Sequence, residues 1–382
     1  MANENTLTGL IPTIYKAADR VMREQIGFIG AVYSDPSAEM VAKDQNITYP
    51  IVPTMAATDV APAAVVTEPG GVVVGYGSMT ISKVKKVPFV WKGEEQASLG
   101  GLYDTVKEDQ FSQAFRTLVN EVEADLFLAA KRGGSRAYGS AGSTPFGSAG
   151  VLTDVAEIGK ILKDNGAWTS DMHMVLSTTT AAKIRGTQAN LFKVNEAGSA
   201  DLLRNAELGR LEGFDLHESS QIVVHTKGDG AGYEFNGSHA AGLTSIVAKT
   251  GTGTILYGDI VTMEDDTLNK YVVNTGIAAP GTFVIGGPGL KYGPQANGKD
   301  ITVGNSYTGN FAFERNAIHL LTRLPKLPKE LSLGEHITVT DPFSGISFLV
   351  SMYPAYHEVI FEVALAWGVK AVKSDAIATL LG

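Results

Sequence analysis

The sequence predicts an α+β chain in which an α/β domain is interrupted by a β-rich module. Three observations carry this expectation. Residues 105–132 hold one long helical pattern, with Phe111, Phe115, Leu118, Val122, Leu126 and Ala129 recurring every three or four positions. Segments 150–222 and 310–382 both mix helix-like and strand-like runs. Between them, over 223–309, the chain shifts to Gly, Thr, Asn and Asp with short β pieces: "TSIVAKT", "TILYGDIVTME", "KYVVNT", "TFVIGG" and "DITVG". Asn236-Gly237 and Asn297-Gly298 punctuate them as turn signals, and the module reads as a small β-barrel or sandwich.

Each element has its own warrant. Residues 7–30 read as a helical arm, because Leu10, Ile14, Ala17, Val21 and Phe28 fall on roughly one face. Residues 46–92 read as a long β-hairpin. Prolines and glycines break it in "YPIVPT" and "APAAVVTEPGG", while Met79 and Ile81, then Val87, Phe89 and Trp91, alternate with their neighbours. A lone hairpin buries too little to stand in water, so another surface must cover it, a neighbouring chain being one candidate. Thr105 and Glu108 have capping-box spacing at the start of the long helix, and Gly133-Gly134 stop it. "VLTDVAEIGKILKDNG" is an amphipathic helix, "HMVLS" a short strand, "TTTAAKIRG" a short helix and "GRLEGFDLHES" a returning strand with a turn. Ile337 and Val339, then Ile346, Phe348, Val350 and Met352, make a hairpin around "DPFSG". Val359, Phe361, Val363, Leu365 and Trp367 share one face of a last strand.

Composition narrows the function classes. The 382 residues, 44% hydrophobic and 19% charged, suit a globular chain with two or three domains' worth of core. No run of eighteen apolar residues is present, so no membrane span is expected, and "MANENTLTG" lacks the basic and apolar regions of a secretory signal. With no cysteine, disulfides and cysteine-ligated zinc are excluded. A net charge of -9 disfavours general affinity for nucleic acid, yet allows a protein that lies near DNA without holding it.

Motifs for chemistry are weak throughout. "GPQANGKD", Gly293 to Asp300, spells most of a phosphate-binding loop, but Asp300 stands where Ser or Thr must bind Mg²⁺, and a strand follows instead of a helix. It reads as a β-turn. The seven histidines are scattered, with no H-E-x-x-H and no i, i+4 pair, and read as structural or solvated. The adjacent pairs Glu94-Glu95 and Asp265-Asp266 read as solvated turns. Glu121 and Asp125 share a helix face and read as an acidic stripe that meets a basic partner, since no histidine accompanies them for a metal. No catalytic residue, cofactor or metal is expected, and the chain does not read as an enzyme.

The arrangement resembles the major capsid proteins of tailed bacteriophages with the Hong Kong 97-type fold, and more narrowly the P-twenty-two-like coat proteins with an inserted β-barrel. The stretches that carry the resemblance are "DQFSQAFRTLVNEVEADLFLAAK" after "WKGEEQ", "NFAFERNAIHLLTRLPKLP", and the ending "FEVALAWGVKAVKSDAIATLLG". The resemblance implies an N-terminal arm over 1–45, an extended loop over 46–92 and a peripheral domain over 93–149. It further implies an axial domain in two pieces, 150–222 and 310–382, around an insertion over 223–309. It implies hexamers and pentamers of this chain closing into an icosahedral virion shell around double-stranded DNA, assembled in the host cytoplasm. A separate scaffolding protein, a portal protein and a decoration protein are the implied partners, with no membrane.

Two interfaces are expected from that family. Lys83, Lys85 and Lys86 of the extended loop should approach Glu121, Glu123, Asp125 or Glu94-Glu95 of the next subunit. No motif marks these lysines as reactive, so no cross-link is expected. Lys16, Arg20 and Arg23, near Asp19 and Glu24, should contact scaffold or DNA, or else form a solvated helix face. Two other classes stay open: an encapsulating bacterial shell of the same fold, and a soluble enzyme or β-rich ligand-binding protein with a similar layout.

Overall fold

The computed structural model describes residues 23–41, 43–51, 73–187, 209–327 and 334–382. The tip of the expected hairpin (52–72) and most of the expected arm (1–22), with Lys16, Asp19 and Arg20, lie outside the described residues.

One helix, Tyr103–Gly133, spans roughly 46 Å at 1.5 Å per residue. Its apolar stripe of Phe111, Phe115, Leu118, Val122 and Leu126 is fully buried, and Ala130 rather than Ala129 continues it. The helix begins two residues before the expected capping box, directly after a 3₁₀ turn at Gly100–Leu102. A short helix, Gly93–Leu99, precedes that turn, and the Glu95 carboxylate accepts the Lys92 N–H there at 3.1 Å. The expected arm helix does not run through to residue 30: residues 23–27 are non-helical and only Phe28–Ala31 makes a helical turn.

Strands are numbered along the chain: β1 (Tyr33–Val41), β2 (Asn46–Ile51), β3 (Gly75–Thr80), β4 (Lys83–Lys92), β5 (Arg136–Gly139), β6 (Met172–Ser177) and β7 (Arg210–Leu211). Then follow β8 (Phe214–Ser219), β9 (Val224–His225), β10 (Ala231–Phe235), β11 (Ser245–Thr252), β12 (Ile260–Met263), β13 (Asp266–Thr275) and β14 (Thr282–Ile285). The last are β15 (Asp300–Val303), β16 (Tyr307–Glu314), β17 (Ile318–Pro325), β18 (Glu335–Thr340), β19 (Ser347–Ala355), β20 (Glu358–Ala371) and β21 (Ile377–Leu381).

The first sheet is built on β20. Strand β19 pairs along Glu358–Ala364, β17 along Ala366–Ala371 and β4 along Glu358–Trp367, while β1 runs parallel to β17. This corrects the long hairpin. Only β2 and β3 pair with each other, and β4 leaves them to join β20. The base of the β2–β3 pair is covered by its own chain, through Met79, Ile81, Ile47 and Tyr49 against Leu321 and Ala366. Among the described residues β4 has β20 as its only strand partner. Pro88 and four lysines make its outer edge a poor template for stray strands.

The second sheet runs β5-β21-β16-β6-β8-β7, with the helices Thr153–Asp164 and Thr178–Thr187 packed on it. Beyond β5, the pairings β13–β14–β11–β10–β15–β12 return to β13, a closed circuit. Its interior is filled by Tyr233, Phe235, Ile246, Val261, Tyr271 and Phe283. The "GPQANGKD" stretch is a turn at Asn297-Gly298 (Gly298 φ +83°) that feeds β15, with Lys299 held by Glu264 and Asp265 at 2.9 and 3.0 Å. Asp266 departs from the solvated-turn reading: it is buried against the Tyr271 hydroxyl and the Asn269 amide.

Several contacts tie this circuit to the rest. Lys270 and Tyr271 of β13 pair with Ala137 and Arg136 of β5. Arg136 is buried without a carboxylate and donates to Asn269 Oδ1 at 2.9 Å and Asn165 Oδ1 at 2.7 Å. The Arg132 guanidinium stacks 4.0 Å over Tyr257. Asn274, with its amide nitrogen turned inward, donates to the Arg132 and Gly134 carbonyls at 2.9 and 3.0 Å, satisfying the end of the long helix.

One glycine in the first sheet admits no side chain. A Cβ on Gly368 would lie 2.1 Å from the Thr80 carbonyl oxygen, so the β3–β4 link rests directly on β20. Gly368→Ala should lower stability by about 1–3 kcal/mol in urea unfolding, the range for overpacked sites.

Candidate functional site

The charged residues of the long helix flank its apolar stripe on opposite sides. At 100° per residue, Glu121 and Asp125 fall on one flank, and Arg116, Asn120 and Glu123 on the other. Each flank holds a different piece of chain.

Strand β4 lies along the first flank. Alternation places Lys83, Lys85, Val87, Phe89 and Trp91 on its helix-facing side. Two residues of strand advance about 6.8 Å, and four residues of helix about 6 Å. The two ladders therefore stay in step. Lys83 Nζ meets Asp125 Oδ1 at 2.7 Å, and Lys85 Nζ meets Glu121 Oε2 at 2.5 Å. Further along, Phe89 packs edge-on against Phe111, and Trp91 donates to Gln110 Oε1 at 2.8 Å. Asp125 also accepts the Trp367 indole N–H of β20 at 2.8 Å, so one carboxylate holds two adjacent strands. Lys86 points to the other side of β4 and pairs with Glu362 at 2.9 Å, diagonally across the sheet.

The expectation set these lysines against the next subunit, and the pairs seen here lie within one chain. Lys83, Lys85 and Lys86 find their carboxylates within their own chain, and Glu94 and Glu95 sit apart, exposed on the Gly93–Leu99 helix.

The second flank grips residues 23–32. The Glu24 carboxylate receives Arg116 in a two-toothed contact, with Nε at 2.7 Å, and the Asn120 amide at 2.8 Å. These donors hold the Glu24 carboxyl at about 2, well below its usual range. One helical turn on, Glu123 is fully buried and accepts the N–H groups of Gly27 at 2.6 Å, Phe28 at 2.8 Å and Ile29 at 3.1 Å. Burial pushes its carboxyl up, against the pull of those donors. Glu123 therefore holds a turn of its own chain and is not a surface partner for the lysines. Arg23 is likewise drawn inward, bonded to Asp341 in the β18–β19 turn with its guanidinium 5.7 Å over Phe343.

Sequence reasoning placed Glu24 on the arm without its partners, and missed the roles of Arg116, Asn120, Trp367 and Asp341. The spacing of Arg116, Asn120 and Glu123, at i, i+4 and i+7, was a readable signal for a second working face.

No family model matches the chain, and no curated protein matches it. Solved structures do. The capsid of the cyanophage P-SCSP1u superposes with a TM-score of 0.50 at 9% identity, over 94% of this chain and 89% of that one. The chain has a phage capsid fold. A chain of Mycobacterium phage Che8 gives a TM-score of 0.48 at 12% identity over 94% and 93% of the two chains. The mature capsid of bacteriophage PhiM1 gives 0.48 at 11% identity over 95% and 89%. In this capsid fold the long helix and its two flanks are the elements that set the relation of strand, arm and core.

Replacing Glu123 by Leu leaves three buried N–H groups without an acceptor, so urea unfolding should show a loss of about 3 kcal/mol or more, with Glu123→Gln milder. Glu24 sets a pH dependence. Its folded value, about 2, lies below its ordinary 4.5, so its contribution is complete above pH 4.5 and fades as pH falls toward 2. Amide protection of residues 23–32, measured relative to the intrinsic exchange rate at each pH, should fall on acidification through that window, and Glu24→Gln should show lowered protection at every pH.

Proposed function

We propose that this chain is the major capsid subunit of a tailed bacteriophage, with the Hong Kong 97-type fold. It assembles through hexamers and pentamers into the icosahedral shell around double-stranded DNA. The observation that carries the reading is the capsid fold over 94% of the chain. The net charge of -9 agrees with a container that encloses DNA without binding it tightly. We assign the closed circuit of β10–β15 to an inserted barrel domain over 223–309, between two pieces of an axial domain, 150–222 and 310–382. A scaffolding protein, a portal and a decoration protein are the proposed partners. Assembly takes place in the host cytoplasm, and Lys16, Asp19 and Arg20 of the arm face scaffold or DNA. The role is structural, and the reading assigns no catalytic residue.

Within that reading, the strip of Lys83, Lys85, Glu121 and Asp125 sets the angle at which β4, and the β2–β3 hairpin before it, leave the helix toward a neighbour. Each exposed pair contributes only about 0.2–1 kcal/mol, but the strip is repeated in every subunit of a shell.

Electron microscopy of the purified chain, expressed with and without its neighbouring genes, tests the function. Closed uniform shells are the expected product, and persistent monomers or dimers under both conditions would overturn the reading. A charge-reversal series tests the strip. Lys83→Glu with Lys85→Glu should lower the yield of closed shells. Glu121→Lys with Asp125→Lys should restore it when placed on the same polypeptide, and not when the two double variants are mixed. Rescue on mixing would mean that the pairs bridge subunits.

A further inference from the structure

Asp171-Met172-His173 and Asp215-Leu216-His217 repeat one pattern, acid, apolar, histidine. Strands β6 and β8 are parallel neighbours, with His173 opposite Asp215 and Val175 opposite His217. Alternation therefore places His173, Asp215 and His217 on one face of the pair, while Met172, Met174 and Leu216 face the core. On that face His173 Nδ1 lies 3.0 Å from His217 Nε2. The far edge of the His173 ring, Nε2, lies 2.8 Å from Asp171 Oδ1 and 3.0 Å from Arg315 Nη2, and Arg315 Nε donates to Asp171 Oδ2 at 2.9 Å. Burial lowers the affinity of both imidazoles for a proton, with His217 held at about 4, so both rings are neutral at pH 7.

Two neutral imidazole nitrogens at this separation share one proton between two lone pairs. A divalent ion can replace that proton. Two Zn–N bonds of 2.0–2.1 Å in a tetrahedral site place the nitrogens roughly 3.3 Å apart, a few tenths of an ångström from the present spacing. Among the described residues no three metal-ligating side chains converge preformed, and the third ligand has to come from Asp215, opposite His173 in the strand register. Asp215 acts electrostatically on both rings. Its side chain is half exposed and loosely paired with Arg210 at 3.8 Å, so turning it inward breaks little. With Arg315 donating to Asp171 instead of to the ring, Asp171 accepting from His173 Nε2 would fix the tautomer that frees Nδ1, the outer-shell arrangement typical of histidine ligands.

We propose that His173 Nδ1 and His217 Nε2 chelate a divalent transition ion such as Zn²⁺ or Ni²⁺, with Asp215 as third ligand and water as fourth. The ion would pin β8 to β6 at the end of the second sheet. Nothing in the capsid reading requires it, so its failure leaves that reading untouched.

Isothermal titration of the full chain with ZnCl₂ at pH 7.5 tests the site, with Co²⁺ absorption as the geometric readout. One ion per chain is expected, with the visible bands of a four-coordinate nitrogen and oxygen site. His217→Gln should weaken binding by roughly tenfold or more, the loss that even an outer-shell partner causes. Asp215→Asn, at a half-exposed position outside the core, should weaken binding and alter the Co²⁺ bands. Absence of saturable binding in the wild type, or unchanged affinity in either variant, would overturn the proposal. Should His217→Gln fail to fold, Asp215→Asn decides.

Discussion

A single carboxylate out of contact with solvent organises this chain. Glu123 sits inside the core, where a charge survives only if hydrogen bonds replace the water it has lost. Its donors are the backbone N–H groups of Gly27, Phe28 and Ile29, nearly a hundred residues earlier in sequence. That demand fixes the chain's entry into the fold. With the turn in place, the Phe28 ring lies 6.2 Å from both Phe311 and Phe313 of β16, so one interaction joins the entering segment, the long helix and the second sheet. Gly27 is part of the same constraint: a Cβ there would stand 2.8 Å from the Glu218 carbonyl oxygen.

The opposite flank of the helix is held by matched periodicity. A strand that steps two residues and a helix that steps four advance by nearly the same distance, so side chains meet in order along β4. The charged pairs at one end and the aromatic contacts at the other are parts of one ladder. The aromatic end lies over the buried core and contributes most of the stability, while the lysines, about 40% exposed, contribute alignment. Asp125, shared between Lys83 and Trp367, is where alignment and core meet.

The closed circuit of strands is attached where the helix ends. A helix terminus leaves carbonyls unsatisfied, and Asn274 from β13 supplies donors to them. Arg132 over Tyr257 and the buried Arg136 beside Asn269 complete the joint. Arg136 has no carboxylate beside it. Carbonyl and amide oxygens hold its Nη groups, including one from the last turn of the Thr153–Asp164 helix, where the helix dipole favours a cation, while its Nε is buried without a hydrogen-bond partner among the described residues.

The sequence by itself determined the elements. The apolar period of the long helix, the alternation of β20 and β4, the turn glycines of 223–309 and the harmless end of "GPQANGKD" all follow from local periodicity and local sterics. The resemblance in arrangement also led to the capsid fold. What it could not determine was which partner each charged group would choose. A hydrogen bond or ion pair depends on distance in space, and sequence spacing constrains that only within one element. So Glu121 and Asp125 were legible as a stripe, but that their partners lie on the same chain was not. Glu123 read as one more surface acid until burial showed it to be an internal clamp. The split of the expected hairpin, with β4 leaving β3 for β20, was likewise a tertiary decision. Packing of Phe89 and Trp91 against the helix, and the lysine pairs beside it, favour the pairing observed. His173 and His217 lie 44 positions apart, and only the parallel register of β6 and β8 brings their rings together.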